Sequence, residues 1–124
     1  MTGLEMPSVS KESFTVERHS GFYGTTYSRS GLWLTEADTV ELWSTGGDFQ
    51  VTTHINHKDT QGKAHDSLFY REHLEELDMY PVFLDGNHSL VRIQNPNAEG
   101  KGKILVIRDS YSNCLGAFLA ESYE

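Results

Sequence analysis

The sequence predicts one α/β domain with a mixed sheet, few helices and an inserted β-hairpin. Short segments in which apolar and polar residues alternate recur in the first half of the chain, as in half-buried strands. The uninterrupted apolar run at 104–107 is typical of a strand buried on both faces. A helical pattern follows this run directly. The 124 residues leave room for one small domain.

The first half of the chain is predicted to supply an arm, a strand and a hairpin. Residues 1–13 are polar and are expected to form an extended N-terminal arm, so that the domain proper covers 14–124. Alternation predicts a strand at 14–18 and a β-hairpin at 39–54. Between them, 19–31 is rich in glycine and aromatic residues and is predicted to be a loop.

The second half of the chain is predicted to hold two helices. Apolar side chains at helical spacing place them at 66–77 and 112–123. Between the helices, 85–88 is predicted to be a tight turn and 90–93 a strand. The buried face of the second helix is expected to carry Leu115, Phe118, Leu119 and Tyr123.

Charge and cysteine content exclude several classes of protein. Acidic residues outnumber basic residues by 18 to 10, for a net charge of -8, which disfavours binding to nucleic acid or to anionic lipid. The lone Cys114 rules out an internal disulfide framework. His54 and His57 have no evident third ligand, so no metal and no cofactor are predicted. No run approaches the roughly 20 apolar residues of a membrane span, and no signal peptide is recognisable.

The residues with the clearest chemical potential follow the apolar run. A serine between a buried strand and a helix start lies where backbone N–H groups favour developing negative charge, and Ser110 occupies that position. The alternative is ordinary helix capping by Asp109, Ser110 or Ser112. The residues alone favour capping.

Three blocks of the chain carry a family resemblance. They are Phe22-Tyr23-Gly24-Thr25-Thr26-Tyr27-Ser28-Arg29, Tyr80-Pro81-Val82-Phe83-Leu84-Asp85-Gly86-Asn87-His88 and Lys103-Ile104-Leu105-Val106-Ile107-Arg108-Asp109-Ser110-Tyr111-Ser112-Asn113-Cys114. Within the third block, Asp109-Ser110-Tyr111-Ser112 resembles the first motif of the SGNH (GDSL-type) hydrolases, with Arg108 in place of its glycine. The three blocks, in this order, resemble the bacterial DHHW family within those hydrolases.

The resemblance implies a flavodoxin-like, three-layer SGNH fold and kinship with periplasmic enzymes that O-acetylate exopolysaccharides. It implies that Ser110 is the nucleophile. The family's Asp-His-His-Trp motif, which carries the Asp-His pair, has no counterpart here, since no two histidines are adjacent. The chain is therefore expected to be the C-terminal part of a larger bacterial protein of the cell envelope, exported or anchored by a segment that is absent here.

Other residues of the blocks receive candidate roles at the same site. His88 is the candidate base, Asn87 the candidate oxyanion donor, and Asp109 is grouped with them as catalytic. The alternative for Asn87 and His88 is an ordinary surface turn. The candidate substrate contacts are Tyr23, Tyr27, Arg29, Arg108, Tyr111 and Asn113; for the first three, the alternative is that they anchor a long loop.

The expected function is that of the serine-bearing part of an O-acyltransferase or esterase acting on cell-surface polysaccharide. Because a serine without its base loses most of its reactivity, the chain alone is expected to be nearly inactive. The alternative is a non-catalytic binding or structural chain in which the serine turn only caps a helix. Open sheet edges would also permit a homodimer.

Overall fold

The computed structural model describes residues 10–30, 34–98 and 100–124, and shows an α/β chain with two small antiparallel sheets and few helices. In these described ranges there are also five short 3₁₀ helices, one before the first strand and four between later elements. The strands and α-helices are β1 (Thr15–Phe22), α1 (Thr25–Ser30), β2 (Asp38–Ser44), β3 (Gln50–His54), β4 (Lys63–His65), β5 (Leu90–Gln94) and α2 (Asn113–Ala120).

The two sheets are formed by pairings that differ from the predicted hairpin. Strand β2 pairs with β1, with Thr15 opposite Ser44 at one end, whereas β3 lies between β4 and β5. The predicted hairpin at 39–54 is therefore wrong, although both of its strands exist. Residues 45–49 carry the chain from one sheet to the other, which places Phe49 in the core and bonds Thr45 Oγ1 to Glu121 at 2.6 Å.

Both sheets contribute to one core. The buried residues come from β2, β3, the segment 68–70, the turn after Val82 and α2. They are Val40, Leu42, Phe49, Val51, Leu68, Phe69, Tyr70, Val82, Leu84, Ala117 and Ala120. This core holds the turn at 84–86 against α2, and that junction positions the site described below.

The predicted helix at 66–77 is wrong, because its first residues form bends and a β-bridge. Leu68, Phe69 and Tyr70 are all buried, and a helix at the edge of a small core cannot bury three consecutive residues. Phe69 instead forms a β-bridge with Phe83, and Tyr70 N–H donates to the carbonyl of Val82 at 2.8 Å. Only Arg71–Glu75 turns helical, as a 3₁₀ helix.

Several other predictions are confirmed or corrected. The strands predicted at 14–18 and 90–93 lie within β1 and β5, and the turn predicted at 85–88 is centred on 84–86. In its described part, the predicted loop at 19–31 is the end of β1 and α1. Of the predicted arm, residues 1–9 lie outside the described residues, and Lys11–Ser13 is a 3₁₀ helix.

The prediction of a buried strand at 104–107 is also wrong. The segment belongs to neither sheet of the described chain, and Leu105 and Ile107 are 84% and 96% exposed. Both sheets here are antiparallel, so the predicted mixed sheet is wrong as well. The physical reason is that no strand of the described chain lies beside this segment.

The last helix buries a different face from the one predicted. Its buried residues are Asn113, Ala117 and Ala120, whereas Leu115 and Phe118 are 48% and 43% exposed. Small side chains allow α2 to approach the turn closely: a Cβ at Gly116 would lie 2.8 Å from Leu84 Cδ1. Neither α-helix in the described ranges could span a bilayer.

Candidate functional site

Ser110 begins a 3₁₀ turn, Ser110–Ser112, that leads directly into α2. Asp109 caps this turn, because its Oδ1 accepts from the backbone N–H of Tyr111 at 3.1 Å and from Ser112 Oγ at 3.4 Å. Within the described chain, the Ser110 hydroxyl makes no hydrogen bond. Of the three possible capping residues, Asp109, Ser110 and Ser112, it is therefore Asp109 that caps the turn. Ser110 is exposed.

Tyr80 fixes the backbone of the serine turn. Its hydroxyl donates to the carbonyl oxygens of Ser110 at 2.9 Å and Tyr111 at 3.1 Å. Burial, together with the neighbouring Cys114, raises the pKa of Tyr80 to about 12, so the hydroxyl keeps its proton at neutral pH. Tyr80 thus ties the turn that carries Ser110 to the element that precedes Asn87.

Replacing Tyr80 by phenylalanine is expected to lower the free energy of unfolding by about 1 kcal/mol, the usual net value of a hydrogen bond in a part-buried setting. The measurement is urea-induced unfolding at pH 7. Tyr111→Phe is the matched control, since Tyr111 is 85% exposed and should leave stability within about 0.5 kcal/mol. Equal losses in the two variants would contradict the role assigned to Tyr80.

A chain of three side chains positions Asn87. Arg108 Nη1 donates to Asn113 Oδ1, and Asn113 Nδ2 in turn donates to Asn87 Oδ1 at 3.2 Å. Asn113 is only 1% exposed, so this link is well shielded from water. Since Oδ1 of Asn87 is engaged, its Nδ2 remains as the donor available to a ligand, which is the chemistry required of an oxyanion donor.

The turn that presents Asn87 has an unusual backbone. Leu84, Asp85 and Gly86 have φ values of 58°, 59° and 79°, in the left-handed region that costs a branched residue such as leucine free energy. Leu84 is nonetheless held there, because its side chain is 1% exposed and packs against α2 at Gly116. Tertiary packing therefore sets the direction in which Asn87 faces.

The Asp85 carboxylate lies between two imidazoles. Its Oδ1 is 2.9 Å from His73 Nε2 and its Oδ2 is 3.2 Å from His88 Nε2. His73 Nδ1 is also 2.9 Å from Glu76 Oε1. All three members of the group His73, Asp85 and His88 are less than one-fifth exposed. This group, the Asp85 cluster, joins the 3₁₀ helix Arg71–Glu75 to the turn at 84–86.

The environment of the cluster favours its charged forms. Partial burial favours neutral His73, but hydrogen bonds to Asp85 and Glu76 outweigh it and raise the pKa of His73. Burial likewise favours neutral Asp85, but the hydrogen bond from His73 and the nearby charge of Lys63 hold the pKa of Asp85 below its ordinary value. An ion pair therefore stabilises the turn at weakly acidic pH.

His88, the candidate base, faces Asp85 in this structure. Its Nε2 is 3.0 Å from the Asp85 carbonyl oxygen and 3.2 Å from the carboxylate, and among the described residues no hydrogen bond joins it to Ser110. A serine base must come within about 2.6–3.2 Å of the hydroxyl. The role of His88 as base stays a prediction that this arrangement does not favour.

Two cavities meet at Ser110 and Asn87. The aromatic cavity, of about 1000 Å³, also brings together the candidate substrate contacts Tyr23, Tyr27, Arg29, Tyr111 and Asn113. The strand-edge cavity, of about 600 Å³, lies beside 104–107 and is lined by the remaining candidates, His88, Arg108 and Asp109. The predicted site residues are thus divided between the two cavities, and Ser110 and Asn87 line both of them.

The lip of the aromatic cavity is formed by α1 and the residues before it. The rings of Tyr23 and Tyr27 stack with centroids 5.3 Å apart, and Thr25 Oγ1 donates to Asp78 Oδ1 at 2.9 Å. Tyr23 and Tyr27 line the cavity and also pack on each other, so the two alternatives from the sequence, a ligand-facing lip and an anchored loop, do not exclude one another. Both tyrosines remain candidates for binding.

Three residues at the candidate site, His73, Tyr80 and Asp85, were not predicted from the sequence. Tyr80 and Asp85 belong to the second sequence block, so their place in that block was the available indication. His73 was assigned to a helix that does not form, and no sequence pattern pairs it with Asp85. Within the described residues, no group of three or more histidine, cysteine, aspartate or glutamate side chains could hold a metal ion.

The structure is similar to the crystal structure of a DHHW family protein from Eubacterium siraeum, with a TM-score of 0.72 and 22% sequence identity. The match covers 97% of this chain and 40% of that one, so this chain spans about two-fifths of the length of its relative. The fold is shared with a DHHW family protein, as the three sequence blocks imply. No protein-family model and no curated protein matches the sequence.

Proposed function

We propose that this chain supplies the serine nucleophile of an O-acyltransferase or esterase that acts on cell-surface polysaccharide. The observation that carries the proposal is the position of Ser110. Its hydroxyl is exposed and without a hydrogen bond in the described chain, it stands where two cavities meet, and it shares both cavities with Asn87. A serine that only capped the helix would have its hydroxyl engaged, and here Asp109 has that role.

The proposed step is acyl transfer through a serine ester. Ser110 Oγ forms a bond to the acyl carbon, the bond from that carbon to the departing alcohol oxygen breaks, and the serine proton passes through solvent water to that oxygen, which leaves as the alcohol. The Nδ2 of Asn87 would donate to the oxygen that becomes negative in between. Since no base reaches Ser110 in the described chain, the step is expected to be slow.

The wider setting follows from the sequence blocks and remains part of the proposal. The chain would be part of a flavodoxin-like, three-layer SGNH fold, in a bacterial protein that works outside the cytoplasm. Tyr23, Tyr27 and Arg29 suit a sugar face and a carboxylate, which supports a polysaccharide acceptor at the aromatic cavity. The relative of known structure is described only as a DHHW family protein.

A fluorophosphonate probe, which reacts with activated serines, tests the nucleophile. Slow labelling of the chain is expected, with complete loss in Ser110→Ala. Ser112→Ala is the matched control, because it lies two residues away in the same 3₁₀ turn and should keep the labelling rate. If Ser110→Ala is labelled as fast as the unchanged chain, the nucleophile assignment is wrong.

A second candidate function is a non-catalytic binding module. It is favoured by one observation, namely that His88 is engaged by Asp85 and not by Ser110. This function predicts no burst of product when the chain is mixed with an activated ester such as p-nitrophenyl acetate. A burst stoichiometric with the chain and absent from Ser110→Ala would exclude it.

A further inference from the structure

Three aromatic rings from different parts of the chain meet at one end of the β1–β2 sheet. Phe14 precedes β1, Trp43 belongs to β2 and Phe118 belongs to α2. The ring centroids are 6.0 Å apart for Phe14 and Trp43, 5.9 Å for Phe14 and Phe118, and 6.5 Å for Trp43 and Phe118. The interplanar angles are 61°, 62° and 53°, so the rings form an angular group and not a stack. This group is called the three-ring cluster.

Strand pairing and a 3₁₀ turn position the cluster. Trp43 lies opposite Val16 in the β1–β2 ladder. Phe14 is two residues before Val16, so Phe14 and Trp43 are diagonal neighbours on the same face of the sheet. The backbone N–H of Phe14 donates to the carbonyl oxygen of Lys11 at 3.2 Å, which places Lys11 beside the same rings. Phe118, added from α2, is 43% exposed.

A cation already lies against this cluster. Lys11 Nζ is 5.3 Å from the centroid of the Trp43 ring, within the reach of a cation–π interaction. Trp43 Nε1 donates to Glu41 Oε2 at 2.9 Å, and this carboxylate polarises the indole, which makes its face more attractive to a cation. Glu41 stays ionised, because hydrogen bonds from Trp43 and Arg18 lower its pKa. Lys11 therefore shows which kind of group the cluster accepts.

A cavity opens beside the rings. Its volume is about 410 Å³, within the range of pockets that bind small molecules, and its lining residues are Lys11, Phe14, Trp43, Phe118 and Ser122. It shares no described residue with the aromatic cavity or the strand-edge cavity. The ring faces are electron-rich, and the net charge of -8 attracts cations to the protein. Charge and shape thus both favour a small cation.

We propose that the three-ring cluster binds an organic cation with a quaternary ammonium group, such as choline, and that Lys11 occupies the site when this ligand is absent. Aromatic faces attract the charge of such a group, and its methyl groups gain apolar contact with the rings. A lysine ammonium is strongly hydrated, so a less hydrated cation displaces it from the same ring. The site is separate from Ser110, and failure of the chemistry proposed there would leave this inference standing.

The test compares choline with its uncharged analogue, in which a carbon atom replaces the quaternary nitrogen. Titration calorimetry and the indole N–H resonance of Trp43 measure Kd for each ligand. Choline is expected to bind, and the analogue to bind at least about tenfold more weakly, because only the charged ligand is attracted to the ring faces. Phe118→Leu should raise the Kd for choline about threefold to tenfold, because it keeps an apolar side chain and removes one aromatic face.

Lys11→Gln distinguishes a cation site from rings that only pack together. Without the competing ammonium, the Kd for choline should fall about threefold or more. Lys103→Gln is the matched control, because it changes the net charge equally, lies outside this cavity and should leave Kd unchanged. The proposal is overturned if choline does not bind, if the uncharged analogue binds equally well, or if Phe118→Leu leaves Kd unchanged. A Kd that Lys11→Gln does not lower, or that Lys103→Gln lowers as much, would overturn it too.

Discussion

Replacing Asp85 by asparagine is expected to lower the free energy of unfolding by about 2 kcal/mol between pH 4 and 6.5, and by less at pH 8. The substitution keeps the shape of the side chain and removes the charge that His73 and His88 share. Because these side chains are 14–18% exposed, water does not replace the lost interactions fully. The strained turn at 84–86 then loses one of the contacts that hold it.

The pH dependence follows from the two shifted groups. The raised pKa of His73 gives stability that is fully present below its ordinary value of 6.5 and is lost as the pH rises through the folded-state pKa. The lowered pKa of Asp85 gives stability that is present above its ordinary value of 3.8 and is lost as the pH falls through the folded-state pKa. The two contributions overlap between about pH 4 and 6.5.

Urea-induced unfolding at pH 5.5 and pH 8 measures this effect. The exposed Asp48 provides the matched control, and Asp48→Asn should change stability by less than about 0.5 kcal/mol at either pH. A loss in Asp85→Asn that is the same at both pH values would show that charge is not what the cluster contributes.

Replacing Asn113 by alanine is expected to have two effects. The free energy of unfolding should fall by about 2–3 kcal/mol, because Arg108 and Asn87 lose a shared partner that is 1% exposed and a buried polar group without a partner is costly. The rate at which the fluorophosphonate probe labels Ser110 should be about tenfold to a hundredfold lower than in the unchanged chain, because Asn87 is no longer fixed as a donor.

Stability and labelling are measured on the same samples, so that each variant serves both readouts. Asn97→Ala is the control, because Asn97 is exposed and lines neither cavity. If Asn113→Ala loses stability but labels at the original rate, Asn113 holds the fold together without positioning Asn87.

The sequence predicted those parts of the fold that depend on local patterns. Alternation located the strands at 14–18 and 90–93, and in the second of them Val91 and Ile93 pack against the core. Alternation could not identify the strands that pair with these two. Residues 45–49 carry the chain from β2 into a second sheet, so β2 pairs with β1 and β3 pairs with β5. The spacing of Leu68, Phe69, His73, Leu74 and Leu77 predicted a helix at 66–77. The spacing could not show that three consecutive residues at the start of this segment, 68–70, are all buried.

The sequence singled out part of the candidate site, and it missed side chains whose place depends on tertiary contact, including Tyr80 and Asp85 of the second sequence block. Ser110 and Asn87 were both singled out, and the structure brings them to the same two cavities. The pairing of His73 with Asp85 joins residues twelve positions apart through a turn whose left-handed backbone is held by core packing. No local pattern encodes such a pairing, because it depends on where Leu84 is buried.

The exposed apolar run at 104–107 also bears on how the chain behaves at high concentration. Four uncharged residues of high β propensity form the kind of segment that nucleates amyloid-like assembly. Lys103 and Arg108 flank the run and serve as gatekeepers, whose charge opposes stacking of identical segments. Lys103 is paired with Glu124 at 3.1 Å, whereas Arg108 keeps its full charge when it donates to the neutral Asn113. Colloidal stability therefore depends mainly on Arg108 and on a low ionic strength, at which its charge is least screened.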